Sequence, residues 1–142
     1  MCCGQIEAET RTECFASSEL LAKVLIVDND PGVVQAFARM LRLDGFEVLT
    51  ALDAEAALRE VDTSRPDAVL LDLRMPIVDG LTFLRRLRAR EEPRHTPVAI
   101  LTGDVVDEAT RNELRELEAD MYFKPVWLQD LVDITRRLIH RP

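Results

Sequence analysis

Ala68-Val69-Leu70-Leu71-Asp72-Leu73-Arg74-Met75-Pro76-Ile77-Val78-Asp79-Gly80 is the stretch whose pattern decides the fold. Its first four residues are apolar without a break, as in a strand buried on both faces of a parallel sheet, and a carboxylate, Asp72, ends the run. Upstream and downstream the pattern repeats. Apolar runs stand at Val24 to Val27, Phe46 to Leu49, Val98 to Leu101 and, more briefly, Met121 to Phe123. Between them lie segments of helical period. Pro31 follows Asp30 as a first helical residue follows its cap, Val34, Phe37 and Leu41 recur at three and four, and Asp44-Gly45 stops the pattern. The same logic predicts helices near Asp53 to Val61, Gly80 to Arg90, Asp107 to Glu118 and Trp127 to Ile139, the last with Leu128, Leu131, Val132, Leu138 and Ile139 on one face. Five strand-helix units predict an α/β fold with a small doubly wound parallel sheet, with the run split by Glu47 at an edge and ligands bound at the carboxyl ends of the strands.

The chain has 142 residues, enough for one domain with a core of its own. Its formal net charge of −8 argues against binding nucleic acid or an anionic membrane through bulk charge. No apolar run approaches the roughly 20 residues of a membrane-spanning helix, and no targeting segment opens the chain, so the cytoplasm is the expected location. Residues 1–22 carry four Glu against one Arg and no clean period, which predicts a flexible N-terminal extension ahead of a domain over 23–142. All three cysteines, Cys2, Cys3 and Cys14, fall in that extension, an odd number without a zinc-site pattern, and are expected as reduced thiols.

Each inner apolar run ends in a polar residue: the first in Asp28-Asn29-Asp30, the third in Asp72, the fourth in Thr102, and the fifth in Lys124-Pro125. In a parallel sheet these positions converge at one edge. Three carboxylates, a hydroxyl and an ammonium there suit a hard cation and a phosphoryl group, because oxygen ligands hold Mg²⁺ and Thr and Lys can hold phosphate oxygens. Acids 4 Å apart repel by about 4 kcal/mol at an effective dielectric of 20, which a cation relieves. Asp, Asn, Thr and Pro also end strands merely as turn residues and caps. Four at successive inner strand ends, with the Asp72 motif among them, favour the functional reading.

On these motifs residues 23–140 resemble the receiver domain of two-component response regulators: the acidic cluster after the first strand, Asp72-Leu73-Arg74-Met75-Pro76 with Asp79-Gly80, Leu101-Thr102-Gly103, and Lys124-Pro125. The resemblance implies a flavodoxin-like sheet of strand order 2-1-3-4-5 with five helices. It implies that Asp72 accepts a phosphoryl group from a histidine kinase or histidine phosphotransfer protein, with no catalysis beyond self-phosphorylation and autodephosphorylation. Mg²⁺ would be held by Asp28, Asn29, Asp30, Asp72 and the Arg74 backbone carbonyl. Lys124 would pair with Asp72 and then with the phosphate, Thr102 would donate its hydroxyl to it, and Gly103 would leave room for the donor histidine. Output would pass to an unidentified downstream protein, or to a second protomer, through the fourth helix, fifth strand and fifth helix. Because the fifth helix ends close to Pro142, no output domain and no direct nucleic-acid contact are expected.

Several positions depart from the family pattern. Asn29 stands where a second acid is usual, and a neutral amide is a poorer Mg²⁺ ligand than a carboxylate. Three residues before Lys124, where the family carries an aromatic, stands Met121, with Tyr122 one position on and Glu118-Ala119-Asp120 reading as a turn one residue short. Met121 rather than Tyr122 is therefore expected beside Thr102. Arg74 and Asp104, two residues past Asp72 and Thr102, would flank the path of attacking water and slow dephosphorylation; the alternative is two solvated loop charges. Trp127 is either a partner contact or a cover over the lysine loop. Arg85, Arg86, Arg88, Arg90 and Arg94 form the one basic patch and are expected as a solvated helix face. Two rival readings remain: a phosphorylation-independent pseudo-receiver, for which Asn29 is the argument, and a haloacid-dehalogenase-type phosphatase built on Asp28-Asn29-Asp30, Thr102 and Lys124, which leaves the Asp72 motif unexplained.

Overall fold

Strand and helix alternate along the chain as the apolar periodicity requires. The computed structural model describes residues 22–72, 77–90, 95–103, 106–124 and 128–140, with the backbone alone described at 72, 77–79 and 128. The strands are β1 (Lys23–Val27), β2 (Glu47–Ala51), β3 (Ala68–Asp72), β4 (Val98–Thr102) and β5 (Ala119–Phe123). The helices are α1 (Pro31–Leu43), α2 (Ala54–Ser64), α3 (Ile77–Arg88), α4 (Glu108–Glu116) and α5 (Leu128–Ile139). All strand pairs are parallel, in the order β2-β1-β3-β4-β5. This is the expected flavodoxin-like fold.

Unbroken apolar runs in β1, β3 and β4 serve two cores at once, because successive side chains point to opposite faces. Leu25, Val27, Val69 and Leu71 face a layer with Leu58 and Val61 of α2 and Leu84 and Leu87 of α3. Val24, Ile26, Ala68 and Leu70 face the other, with Val34 and Leu41 of α1 and Leu131 and Leu138 of α5.

Aspartates start three of the helices. Asp30 caps α1 by accepting from Gly32 N–H (2.9 Å), Asp53 caps α2 through Ala56 N–H (2.7 Å), and Asp107 caps α4 through Thr110 N–H (2.8 Å). Gly45, at φ 99°, carries the chain out of α1, a conformation that an L side chain resists.

The structure moves several expected boundaries. β2 lies at Glu47–Ala51 rather than Phe46 to Leu49, since Lys23 pairs with Glu47 and Val27 with Ala51. α3 begins at Ile77, so Asp79-Gly80 lies inside the helix, where Gly80 is buried, and not at its start. Ala119 and Asp120, expected in a turn, are strand residues paired with Val98 and Ala99; the turn is Leu117-Glu118, with Glu118 in the left-handed region at φ 59°. Ala22 is buried and its carbonyl accepts from Glu47 N–H (2.9 Å), so the folded unit takes in this last residue of the expected extension. The cysteines lie outside the described residues. No described helix is long and apolar enough to cross a membrane.

Within the arginine patch Arg85 and Arg86 are exposed, as a solvated face requires, and the described arginines also have partners. Arg85 pairs with Glu113 of α4, Arg86 with Glu55 and Arg90 with Asp62 of α2. Arg88 donates to three backbone carbonyls: Thr96 (2.6 Å), Leu117 (2.7 Å) and Glu118 (3.3 Å). Arg94 lies outside the described residues.

Candidate functional site

Strand register brings the polar strand ends together. Val27 pairs with Leu71 and Asp72 with Leu101, so one step past Val27 and Leu71 the residues Asp28 and Asp72 are backbone neighbours on adjacent strands, about 4.8 Å apart. Thr102 follows Leu101 on the next strand and pairs with Phe123, while Lys124 N–H donates to the Thr102 carbonyl (2.8 Å). Position 124 is thereby tied to the end of β4. Four of the expected site residues, from four strands, thus share one end of the sheet.

Asp28 is fully buried, and its backbone N–H donates to the Ala51 carbonyl (3.1 Å), extending the ladder. Its Oδ1 accepts from Asp30 N–H (3.2 Å), while Asp30 Oδ1 accepts from Gly32 N–H. These two successive side-chain turns curl the chain so that residues 28 and 30 sit at the head of α1. Asn29, between them, is exposed. One Asp30 oxygen is therefore committed to the helix cap.

Among the described residues no group of three His, Cys, Asp or Glu is arranged to hold a metal ion, the Asp72 side chain not being among those described. The donor set still suits Mg²⁺: a buried carboxylate at Asp28, the Asp30 carboxylate and the Asn29 amide are hard oxygen ligands, and a buried carboxylate is stabilised by a cation. Arg74, whose carbonyl was expected as a ligand, lies outside the described residues, as do Asp104 and Trp127.

Thr102 is fully buried on the face of the sheet shared with Val98 and Ile100. Gly103 runs beside the Lys124 stem, where an added Cβ would lie 3.8 Å from Lys124 Cδ, an ordinary contact. Met121 pairs with Ile100 and packs against the same layer, so it lies on Thr102's face, whereas Tyr122 packs into the opposite layer. Phe123, not singled out from the sequence, stands opposite Thr102 in register, is half exposed, and lies under the Arg111 guanidinium at 5.9 Å. Its place could have been found by counting back from Lys124; the arginine above it could not.

A doubly wound parallel sheet of this strand order, with Asp28, Asp72, Thr102 and Lys124 at the carboxyl ends of four of its strands, defines a class of small α/β domains with a polar site at one sheet end. Residues 24–136 match the family described as response regulator receiver domain, and the chain belongs to that family, the receivers of two-component systems. The transcriptional regulatory protein PrrA of Mycobacterium tuberculosis is 40% identical over 121 residues, covering 84% of this chain and 50% of its own length. TrcR, also a transcriptional regulatory protein of M. tuberculosis, is 36% identical over 84% of this chain and 46% of its own. The chain therefore spans about half the length of these curated relatives. Among solved structures it is similar to the chemotaxis protein CheY4 of Vibrio cholerae (TM-score 0.75, 28% identity, 83% of this chain and 98% of that one). A response regulator receiver domain protein of Clostridium thermocellum gives a TM-score of 0.73 at 32% identity, over 85% of this chain and 96% of that one.

Proposed function

We propose that the protein is a phosphorylation-driven switch in which Asp72 accepts a phosphoryl group from the phosphohistidine of a kinase or phosphotransfer protein. An Asp72 oxygen bonds to phosphorus as the P–N bond breaks and the imidazole nitrogen leaves with the electron pair. Water later cleaves the acyl phosphate, returning the carboxylate and inorganic phosphate. The observation that supports this reading is the register that sets Asp28, Asp72, Thr102 and Lys124 at one end of the sheet. Asp28, Asn29, Asp30, Asp72 and the Arg74 carbonyl would hold Mg²⁺, which supplies charge neutralisation of the phosphoryl oxygens when bound. Lys124 would meet the phosphate with its ammonium and Thr102 with its hydroxyl, while Gly103 admits the donor ring.

Output would pass to a partner protein or a second protomer through α4, β5 and α5, with Trp127 as a candidate contact. β5 is an edge strand, and an open groove of about 490 Å³ lies beside it, lined by Leu114, Ala119, Met121 and Tyr122 with Arg111, Arg115 and Asp120. Direct contact with nucleic acid is disfavoured by the net charge of −8 and by the pairing of Arg85, Arg86 and Arg90 with neighbouring acids. A second reading, a pseudo-receiver that binds without phosphorylation, draws support from the exposed Asn29 and from the use of an Asp30 oxygen as a cap. Incubation with Mg²⁺ and acetyl phosphate, read by intact mass with Asp72→Ala as control, decides between them. An Asp72-dependent mass gain of one phosphoryl group is expected; its absence at millimolar Mg²⁺ overturns the switch reading.

A further inference from the structure

The ladder between β4 and β5 is closed at its start by a side chain. Val98 pairs with Ala119 and Thr102 with Phe123, and the same register carried back sets Thr96 opposite Leu117. In a parallel ladder the donors of one strand recur at every second residue. The series that ends with Lys124 N–H on the Thr102 carbonyl (2.8 Å) would therefore begin with Glu118 N–H on the Thr96 carbonyl. Instead Glu118 N–H donates to the Arg115 carbonyl (3.0 Å) at the end of α4, where Glu118 holds a left-handed φ of 59°. Pro97, beside Thr96, has no N–H to offer.

The Arg88 guanidinium takes that place. Its Nη1 donates to the Thr96 carbonyl (2.6 Å), its Nε to the Leu117 carbonyl (2.7 Å) and its Nη2 to the Glu118 carbonyl (3.3 Å). One planar fork thus joins the residues just ahead of β4 to those just ahead of β5. Both supports are firm: Leu84 and Leu87, in the same helix as Arg88, are fully buried in the core, and the Pro97 carbonyl accepts from Val69 N–H of β3 (2.9 Å). β5 is held less by its own side chains. It is an edge strand whose residues are all half-buried or exposed, whereas β2 at the other edge buries Val48 and Ala51. Its place on the sheet depends on the ladder and on what closes it.

We propose that Arg88 serves as the first rung of the β4–β5 ladder and so holds Lys124, at the last rung, in place at the far end of the sheet. The five-residue strand between them is a stiff link about 17 Å long. Displacing its start by about 1 Å carries Lys124 along by a similar amount, and an error of that size at a reacting site costs up to about a hundredfold. Arg88 is therefore a positioning residue, acting through β5. That the ammonium it places meets a phosphoryl group rests on the function proposed above; the placement of Lys124 does not.

Amide hydrogen exchange and beryllofluoride binding on the full chain test this, with Arg90→Met for comparison, because Arg90 pairs with Asp62 of α2 and not with β4 or β5. Without ligand, Arg88→Met should raise the ratio of Lys124 to Asp28 amide exchange about tenfold. The Asp28 amide, bonded to the Ala51 carbonyl, monitors the rest of that sheet end. The same variant should bind beryllofluoride at saturating Mg²⁺ at least about fivefold more weakly, and Arg90→Met should leave both readings within about twofold of the parent. If Arg88→Met fails to fold, Arg88→Lys, whose single ammonium cannot span three carbonyls in fork geometry, should raise the exchange ratio at least about threefold. An unchanged ratio or an unchanged beryllofluoride affinity in the Arg88 variant that folds, or equal changes in Arg90→Met, overturns the positioning role. Failure of the parent to bind beryllofluoride overturns the switch reading alone, because the exchange ratio still judges the hold on Lys124.

Discussion

Thr102→Val removes one hydroxyl from the end of β4 and leaves the local backbone in place. The residue is fully buried, Val is equally β-branched and suits a strand, and the strand end is fixed by groups the substitution does not touch: Leu101 pairs with Asp72, and Lys124 N–H donates to the residue 102 carbonyl. Loss of a buried hydroxyl that is hydrogen-bonded in the native state should lower stability by about 0.5–1.5 kcal/mol. Its effect on a bound phosphoryl analogue should be larger. A hydrogen bond to a charged oxygen contributes about 1.5–3 kcal/mol, which at tenfold per 1.4 kcal/mol weakens beryllofluoride binding by roughly 10- to 150-fold. Titration with beryllofluoride at saturating Mg²⁺, followed by the fluorescence of Trp127, the chain's one tryptophan, measures this directly. A urea melt of the unliganded variant separates the binding effect from the folding effect. Thr102→Ser, which keeps the hydroxyl, should bind within a few fold of the parent. If Thr102→Val binds as tightly as the parent while Asp72→Ala does not bind, the hydroxyl does not contact the phosphoryl group and the assignment of Thr102 is wrong.

Glu118→Gly should raise stability in urea by about 0.5–1 kcal/mol, the relief of a left-handed residue at φ 59° outweighing the extra freedom of the unfolded chain; a loss of stability contradicts the strain. Gly45→Ala, at φ 99°, should lower stability by more than about 1 kcal/mol in the same assay. The Arg90 guanidinium, by hydrogen bonding, holds the Asp62 carboxyl below its ordinary pKa. A depressed carboxyl stabilises the fold above the unfolded value of about 3.9 and stops doing so as pH falls through the folded value, and an exposed pair of this kind contributes less than about 1 kcal/mol. Asp62→Asn should therefore flatten the acid side of the urea-midpoint profile below about pH 5, and the difference from the parent should shrink in 1 M salt.

Strands were legible because continuous apolar runs have few other uses in a chain of this size, whereas their order came from the resemblance to receiver domains. β1, β3 and β4 differ from their expected bounds by a residue at one end. β2 was displaced because its pattern is that of an edge, with Glu47 and Thr50 exposed, and its register is set by β1 rather than by its own residues. The helix expected from Gly80 begins three residues earlier, at Ile77, and Gly80 lies buried within it. The face of Met121 followed from counting back from Lys124. What Arg85, Arg88 and Arg90 do could not be read from the sequence, since their partners lie 8 to 30 residues away and an arginine run looks alike whether it faces water or acids on two other helices. Asp30 was legible as a cap and as a metal ligand alike, and the hydrogen bond to Gly32 accounts for the first of these roles.

The layer that joins α1 to α5 has a consequence for how the protein is made. Val34, Ala38 and Leu41 of α1 share that layer with Leu131, Ile134 and Leu138 of α5, and Arg136 reaches Asp44 across 92 residues of sequence. At a ribosome adding about 5–20 residues per second, the apolar side of α1 waits roughly 5–20 s for the helix that shields it. The opposite layer, filled by α2 and α3, can be completed much sooner. During translation the nascent chain is thus half-shielded, and its second apolar face is a natural target for a chaperone until α5 clears the exit tunnel.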